Sequence, residues 1–200
     1  MIAYQKTNKK YITQITKIWE YGLKDNLYSV LGAKFINNYL NLIFKIKGNK
    51  TFIALDKRKN KVIGFVIFGK ENKTNFKILS SNFLNIITII LKKIFFFQIK
   101  DLFRFIDVFL YLIISSFNKI NFERSTELLI IVIEKSHRSK KIGKKLLDKS
   151  ISLIKKDNKK LRYIHVVTLK KLKKSVNFYK KNKFKIKKVI YNRIYLIRGI

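Results

Sequence analysis

Hydrophobic positions change period repeatedly along this chain, and each period predicts an element. Ile2–Lys6 alternates as a short strand. Tyr11, Ile12, Ile15, Ile18 and Trp19 then fall on one helical face, with Gly22 as its stop. From about Ser29 to Lys45 the apolar positions Leu31, Phe35, Tyr39, Leu42, Ile43 and Ile46 again recur at helical spacing. Two apolar runs, Thr51–Leu55 and Lys61–Phe68, flank the polar segment DKRKN and predict an antiparallel hairpin. Gly64 within the second run marks a bulge or a close backbone approach.

The stretch 76–118 is more apolar than its surroundings. Its longest uncharged runs, Ile78–Leu91 and Val108–Asn118, stop short of the roughly 18–20 residues that span a bilayer. Lys92, Lys93, Lys100, Asp101, Arg104 and Asp107 interrupt it. The pattern predicts an apolar helical insertion, read as a pair of helices forming a lid or side wall over the core. Its surplus apolar surface leaves a second copy of the chain, or peripheral contact with a membrane surface, as further readings.

The last third is the most regular. Glu127–Ile133 (ELLIIVI) is nearly continuous in apolar residues, as in a strand covered on both faces. Ile142, Leu146, Leu147, Ile151 and Ile154 mark an amphipathic helix, and Arg162–Thr168 a further strand. Leu172, Val176 and Tyr179 line another helix, and two strands near Phe184–Tyr191 and Arg193–Ile197 follow. Strand, helix, strand in this order predicts a parallel crossover. With no internal repeat and no Ser/Gly-rich linker, the 200 residues are expected to form a single α/β (α+β) domain, 1–200.

Composition narrows the chemistry. Cysteine is absent, which removes disulfides, thiolate metal sites and a cysteine nucleophile; two histidines do not suffice for a histidine-rich metal centre, and no metal is expected. The opening MIAYQKTNKK lacks an apolar h-region, so a cytoplasmic protein is expected. Lys and Arg number 46 against 11 Asp and Glu, a formal net charge of +35. Such a balance suggests nucleic acid or an anionic surface. The charge is mostly lysine, however, and it is spread along the whole chain beside an excess of Ile, Asn and Phe that has the look of AT-rich coding bias. It is therefore read as a constraint on partners, favouring anions, and specific nucleic-acid recognition is not expected.

Between Ile133 and the amphipathic helix lies EKSHRSKKIGKK. A loop leaving a buried strand and entering a helix turns several free backbone N–H groups, and the positive end of the helix dipole, toward one spot. That spot suits a phosphate or pyrophosphate. Gly143 permits close backbone approach, and Arg138, Lys140, Lys141 and Lys144 add positive charge. The loop is not a Walker loop, since no GKS or GKT follows a glycine run, and G-x-G-x-x-G is also missing.

These residues resemble a known family. HRSKKIGKKLL at 137–147 is similar to the acetyl-CoA signature of the GNAT acyl-CoA N-acyltransferases, R/Q-x-x-G-x-G/A, with a hydrophobic strand before it. SVNFYKKNKFKI at 175–186 is similar to the family's A-x-x-F-Y-x-x-x-G-F segment, and the order of elements over 127–198 is kept. The resemblance implies a mixed central sheet of about seven strands flanked by helices. It implies that the backbone of Arg138, Ser139, Lys140, Lys141, Ile142, Gly143 and Lys144 holds the pyrophosphate of acetyl-CoA as cosubstrate. Ile131, Val132 and Ile133 would bind its pantetheine arm by main chain, where two parallel strands splay apart.

By the same resemblance Tyr179 is the candidate acid that protonates the departing thiolate, and Glu127 the candidate base for the incoming amine. Outside the resemblance Tyr179 reads as a core aromatic and Glu127 as a strand-edge carboxylate. His137 reads as a solvated loop residue. His165, alternating with Tyr163 and Val167, reads as structural. The chain departs from the motifs at Lys141 and Lys183, which stand where the family has glycine, and at Ser175, which stands for alanine; Leu172 occupies a position where the family often has asparagine.

The expectation is an N-acetyltransferase acting by direct attack on the thioester. Its acceptor would be a small-molecule primary amine, preferably anionic, such as an amino sugar on a nucleotide carrier. Acetylation of a protein N-terminus or a ribosomal protein is the runner-up. A basic nucleic-acid-binding or membrane-surface module that kept the fold without catalysis is the alternative from another class.

Overall fold

The structure is a computed structural model, and it describes residues 1–23, 26–69, 87–88, 91, 103, 106–108, 110–111, 114 and 122–200. Among these residues seven strands build one sheet: β1 (Ile2–Lys6), β2 (Lys50–Asp56), β3 (Lys61–Gly69), β4 (Ser125–Ile133), β5 (Tyr163–Leu169), β6 (Lys185–Ile190) and β7 (Arg193–Gly199), in the order β1-β2-β3-β4-β5-β7-β6. All neighbours are antiparallel except β4 and β5. The expected mixed sheet of about seven strands with flanking helices is the observed architecture.

Each face of the sheet has its own apolar cover. Helices α1 (Ile12–Gly22), α2 (Leu27–Val30) and α3 (Ala33–Lys45) precede β2. Ile15, Ile18 and Trp19 of α1 and Phe35, Ile36, Tyr39, Leu40 and Ile43 of α3 pack with Ile53, Phe65, Ile67, Ile130 and Val132 of the strands. On the other face lie α4 (Ile142–Asp157) and α5 (Lys173–Lys181). Here Ile142, Leu146, Leu147, Ile151 and Ile154 meet Phe52, Val66, Phe68, Leu128, Ile164 and Leu196. This stripe holds α4 in place although its outer face carries many lysines, because each fully buried Leu or Ile contributes about 1.5–3 kcal/mol. Truncation of fully buried Leu146 to alanine would break into that contact at a cost of about 2–5 kcal/mol.

Local details differ from the sequence pattern where glycine intervenes. The helix expected from Ser29 to Lys45 is broken into α2 and α3, because Gly32 precedes α3 with a left-handed φ of 88°. Gly64 combines both roles expected of it. A register shift next to its partner Ala54 leaves Ile63 as the extra residue of a bulge. A Cβ at Gly64 would also stand 2.4 Å from Ile133 Cδ1 and 3.0 Å from the Val132 carbonyl oxygen. Gly22 ends α1 as expected, and a Cβ there would strike Val132 Cγ1 at 2.5 Å, so glycine lets the helix end seat on β4.

Most of the insertion expected over 76–118 lies outside the described residues. Of its described residues, Asp107 accepts from Arg193, Nη2 to Oδ2 at 2.9 Å, and the Tyr111 hydroxyl lies 2.6 Å from that of Tyr195. Arg193 also sits over the Tyr111 ring, 4.8 Å from its centroid. Among the described residues no helix is long and apolar enough to cross a membrane.

Candidate active site

The site begins where β4 and β5 part. These strands pair in parallel over three rungs, Ser125 with Tyr163, Thr126 with Ile164 and Glu127 with His165. Beyond Glu127, among the described residues, β4 continues to Ile133 against β3 and β5 continues to Leu169 against β7. A second register shift explains the divergence. Ile67 faces Ile130 while Phe68 faces Leu128, so Leu129 is an extra residue in β4 and bends the strand away. The result is a wedge between two strands whose facing edges have no strand partner among the described residues, the arrangement expected to receive an extended amide-bearing chain.

The far end of β4 leads into the basic loop. Ser139 and Lys141 both adopt left-handed backbone, with φ of 63° and 59°. Lys141 is the N-cap of α4, its own side chain makes no capping hydrogen bond, and no acidic residue stands in the first turn. The amides of Ile142, Gly143 and Lys144 open the helix and have no carbonyl within it to bond; the first such bond runs from Lys145 to Lys141. The end of a 16-residue helix therefore offers N–H groups and dipole potential to an anion. The left-handed turn also explains the family's glycine at this place. Lysine occupies it at a cost of about 1–2 kcal/mol, the penalty an L residue meets in that conformation.

The basic side chains do not all point to one task. Arg138 donates from Nε to the Ile133 carbonyl at 3.0 Å and from Nη2 to the Gly22 carbonyl at 3.2 Å. Its guanidinium thus ties the end of α1 to the end of β4. Lys144 pairs with Asp148 one turn along α4, at 2.7 Å. Lys140 and Lys141 are exposed. Gly143 lies between β4 and α5, since a Cβ there would meet Ile133 Cγ1 and Phe178 Cε2, each at 3.4 Å.

Tyr179 is only 7% exposed, in the core layer beneath α5, edge-on to Phe178 and Phe184. Burial pushes its phenol well above the ordinary value, so it carries its proton at neutral pH. Ile131 and Ile133 are half-buried on the α4 side, while Val132 is buried on the α1 side.

Glu127 is buried at the crotch of the wedge, with Oε2 3.6 Å from Nε2 of His165. His165 is stacked on Phe122, with centroids 4.1 Å apart and an interplanar angle of 9°. Its Nδ1 lies 3.0 Å from the Ser125 hydroxyl. The structure thus brings Glu127 beside a histidine that the sequence pattern treats as structural. Nothing in strand alternation reveals that pairing, which depends on the register of β4 against β5. Among the described residues no group of His, Asp or Glu could hold a metal ion.

The fold that carries this site is that of GNAT-family acetyltransferases. The model of the Acetyltransferase (GNAT) family matches residues 108–184, which run from the described end of the insertion through β4, the loop, α4, β5 and α5. A PaiA N-acetyltransferase from Thermoplasma acidophilum, solved in complex with coenzyme A, has the same fold with a TM-score of 0.61. Its identity is 14%, and the likeness covers 100% of this chain and 99% of that one. A GNAT-family acetyltransferase from Desulfovibrio desulfuricans also gives 0.61, at 10% identity over 100% and 98% of the two chains. One from Staphylococcus aureus gives 0.56, at 16% identity over 100% and 99%. A search of the curated proteins finds no match. The resemblance read from the two sequence motifs therefore holds: the chain has the GNAT fold and carries the family's signature region.

Proposed function

We propose that this protein is an acetyl-CoA-dependent N-acetyltransferase whose acceptor is an anionic small molecule with a primary amine. The observation that carries this reading is the parting of β4 and β5 next to the N-terminus of α4. An extended thioester arm with a pyrophosphate at one end matches that combination of open strand edge and anion-binding helix end. The Thermoplasma acidophilum protein, which shares this fold, was solved with coenzyme A, and that supports the assignment.

In this reading the backbone of Arg138–Lys144 holds the pyrophosphate, and Ile131–Ile133 offer main-chain groups to the pantetheine arm. Arg138 contributes by fixing the loop against Gly22 and Ile133, and Lys140 and Lys141 supply the exposed charge. Glu127 takes a proton from the acceptor ammonium, which frees its lone pair to attack the thioester carbonyl. Tyr179 gives its proton to the sulfur as the tetrahedral intermediate collapses. An ordinary phenol of about 10 already lies above a thiol of about 8.5 and burial raises it further, so that transfer is uphill, and its contribution falls near the low end of the 10²–10⁴-fold typical of general acids.

The net charge of +35 supports an anionic acceptor, such as an amino sugar on a nucleotide carrier, over a polyamine or a lysine-rich tail. Calorimetric titration with acetyl-CoA tests the cosubstrate. Thiol release from acetyl-CoA, measured with a UDP-linked amino sugar and in parallel with an N-terminal peptide, tests the acceptor. Absence of acetyl-CoA binding would overturn the enzyme reading in favour of a basic binding module with steep salt dependence. Turnover on the peptide alone would replace the acceptor.

A further inference from the structure

We propose that the face of the sheet covered by α4 and α5 docks on an anionic lipid surface. The docking does not depend on the acetyltransferase reading above.

Lysine is spread along the sequence, but folding sorts it between the two faces of the sheet. On one face α1, α2 and α3 together carry Lys17, Lys34 and Lys45, with Glu20 among them. On the other, α4 and α5 carry nine lysines, all exposed. Helical spacing aims them outward. Lys145, Lys149 and Lys156 of α4 stand opposite the stripe that Leu146 and Ile151 bury against the sheet. Lys174 and Lys181, seven residues apart, stand opposite buried Val176 and Tyr179 of α5. The two carboxylates of α4 form ion pairs away from these stripes, Asp148 with Lys144 and Arg198, and Asp157 with Lys50. Helix stability alone does not account for the pattern. Lys145 and Lys174 lie in the first turns of their helices, where a cation opposes the dipole.

The margin of the sheet adds an apolar component. β6 is the last strand, and its Ile186 and Val189 are 46% and 48% exposed. Their ladder partners, Leu196 and Ile194, belong to the core beneath α4 and α5, so both side chains stand on that same face. Lys185 and Lys187 flank Ile186. The face therefore presents ammonium groups across two helices and branched aliphatic groups at its open edge.

That combination selects the partner. Anionic headgroups attract the lysines, and the acyl boundary takes up exposed aliphatic side chains while the ammonium groups stay at headgroup level. Nucleic acid fits less well. Helices α4 and α5 and strand β6 contain no arginine for bidentate base contacts and no exposed aromatic ring for stacking. A second copy fits worse still, because each chain carries a net charge of +35 and like faces would meet.

Cosedimentation with vesicles of phosphatidylcholine holding about 30% phosphatidylglycerol tests the proposal. Two charge-matched sets separate an oriented face from net charge. Lys149→Gln, Lys156→Gln, Lys174→Gln and Lys181→Gln together should weaken binding about 10²-fold or more. Lys17→Gln, Lys34→Gln, Lys45→Gln and Lys59→Gln together remove the same charge elsewhere and should weaken it less than about tenfold. All eight side chains are exposed, so neither set touches the core. Equal losses in the two sets would overturn the proposal.

Insertion is read separately. The chain has no cysteine, so Val189→Cys carries a single environment-sensitive dye. Its emission should shift to the blue on the anionic vesicles, while the same dye at Lys17→Cys should keep its aqueous emission. No shift at Val189→Cys would overturn the docking of this face. Binding to a single-stranded RNA that exceeds vesicle binding and is lost in the first set would give the face to nucleic acid and overturn the lipid assignment. Self-association seen by analytical ultracentrifugation and abolished by the first set would overturn it in favour of a second copy.

Discussion

The amide of Phe184 donates to the carbonyl of Tyr179 at 3.1 Å, and their rings meet edge to face with centroids 5.6 Å apart. Together with the bond from the Lys183 amide to the Lys180 carbonyl at 3.0 Å, this is the Schellman arrangement, complete with the apolar contact that accompanies it. The motif places Lys183 in the left-handed region, with φ of 65°, and so accounts for a glycine followed by phenylalanine in the family pattern. The helix end that carries Tyr179 is thus clamped by the residues that the motif reads as G-F.

Lys183→Gly is expected to stabilise the protein by about 0.5–1 kcal/mol. An L residue pays about 1–2 kcal/mol in this conformation, and the entropy lost by ordering glycine, about 0.5–1 kcal/mol, returns part of the gain. The denaturant midpoint should rise with an unchanged slope. A lower midpoint would show that the lysine side chain contributes more than its backbone costs.

Tyr179→Phe should reduce kcat by about 10²-fold and leave acetyl-CoA affinity nearly intact, since only the hydroxyl is removed. Because burial raises the phenol, it does not ionise below its ordinary value of about 10, so the rate should show no alkaline loss from this residue up to that pH. Calorimetry and a pH–rate profile check the two halves. Wild-type turnover in the variant would leave the tyrosine as packing alone.

Arg138 and Lys140 should separate under a thermal-shift assay with acetyl-CoA. Arg138→Ala loses both carbonyl contacts, to Gly22 and Ile133, and should lower the melting temperature without ligand by the equivalent of about 1 kcal/mol. Lys140→Glu should leave that baseline alone and shrink the ligand-induced shift. The same baseline in both variants would mean that Arg138 does not pin α1 to the loop.

Asp148 joins α4 to β7. Burial alone would raise its carboxyl, but hydrogen bonds and charge from Lys144 and Arg198 outweigh this and hold it below the usual carboxylate range. A depressed folded-state value contributes stability that is present above the ordinary Asp value of about 3.9 and is lost as pH falls through the depressed one. Asp148→Asn should therefore cost up to about 1 kcal/mol at pH 7, given a side chain about a third exposed, and clearly less at about pH 3, below the ordinary Asp value. Parallel melts of the two proteins at both values check it.

Periodicity alone located most elements, because helix and strand repeat along the backbone with fixed periods that burial stamps on the sequence. The stripe from Ile142 to Ile154 became α4, and ELLIIVI became all of β4 after its first two residues. The two motifs were legible for a similar local reason: a turn into a helix, and a helix end, each need particular backbone within a few residues. At Lys141 and Lys183 the residue type hid what the backbone does, since lysine gives no sign of a left-handed turn that glycine would have announced.

The pairings that make a site were decided only in three dimensions. Whether Glu127 meets His165 depends on the register of two strands separated by a whole helix and on a bulge at Leu129 that ends their ladder. Whether Arg138 faces an anion or ties down Gly22 depends on where α1, far earlier in the chain, comes to rest. Hydrophobic alternation is insensitive to such choices, because it reports which face of an element is buried and says nothing of which polar group stands opposite. Register and packing supply that second coordinate, and the chemistry of this protein is written in it.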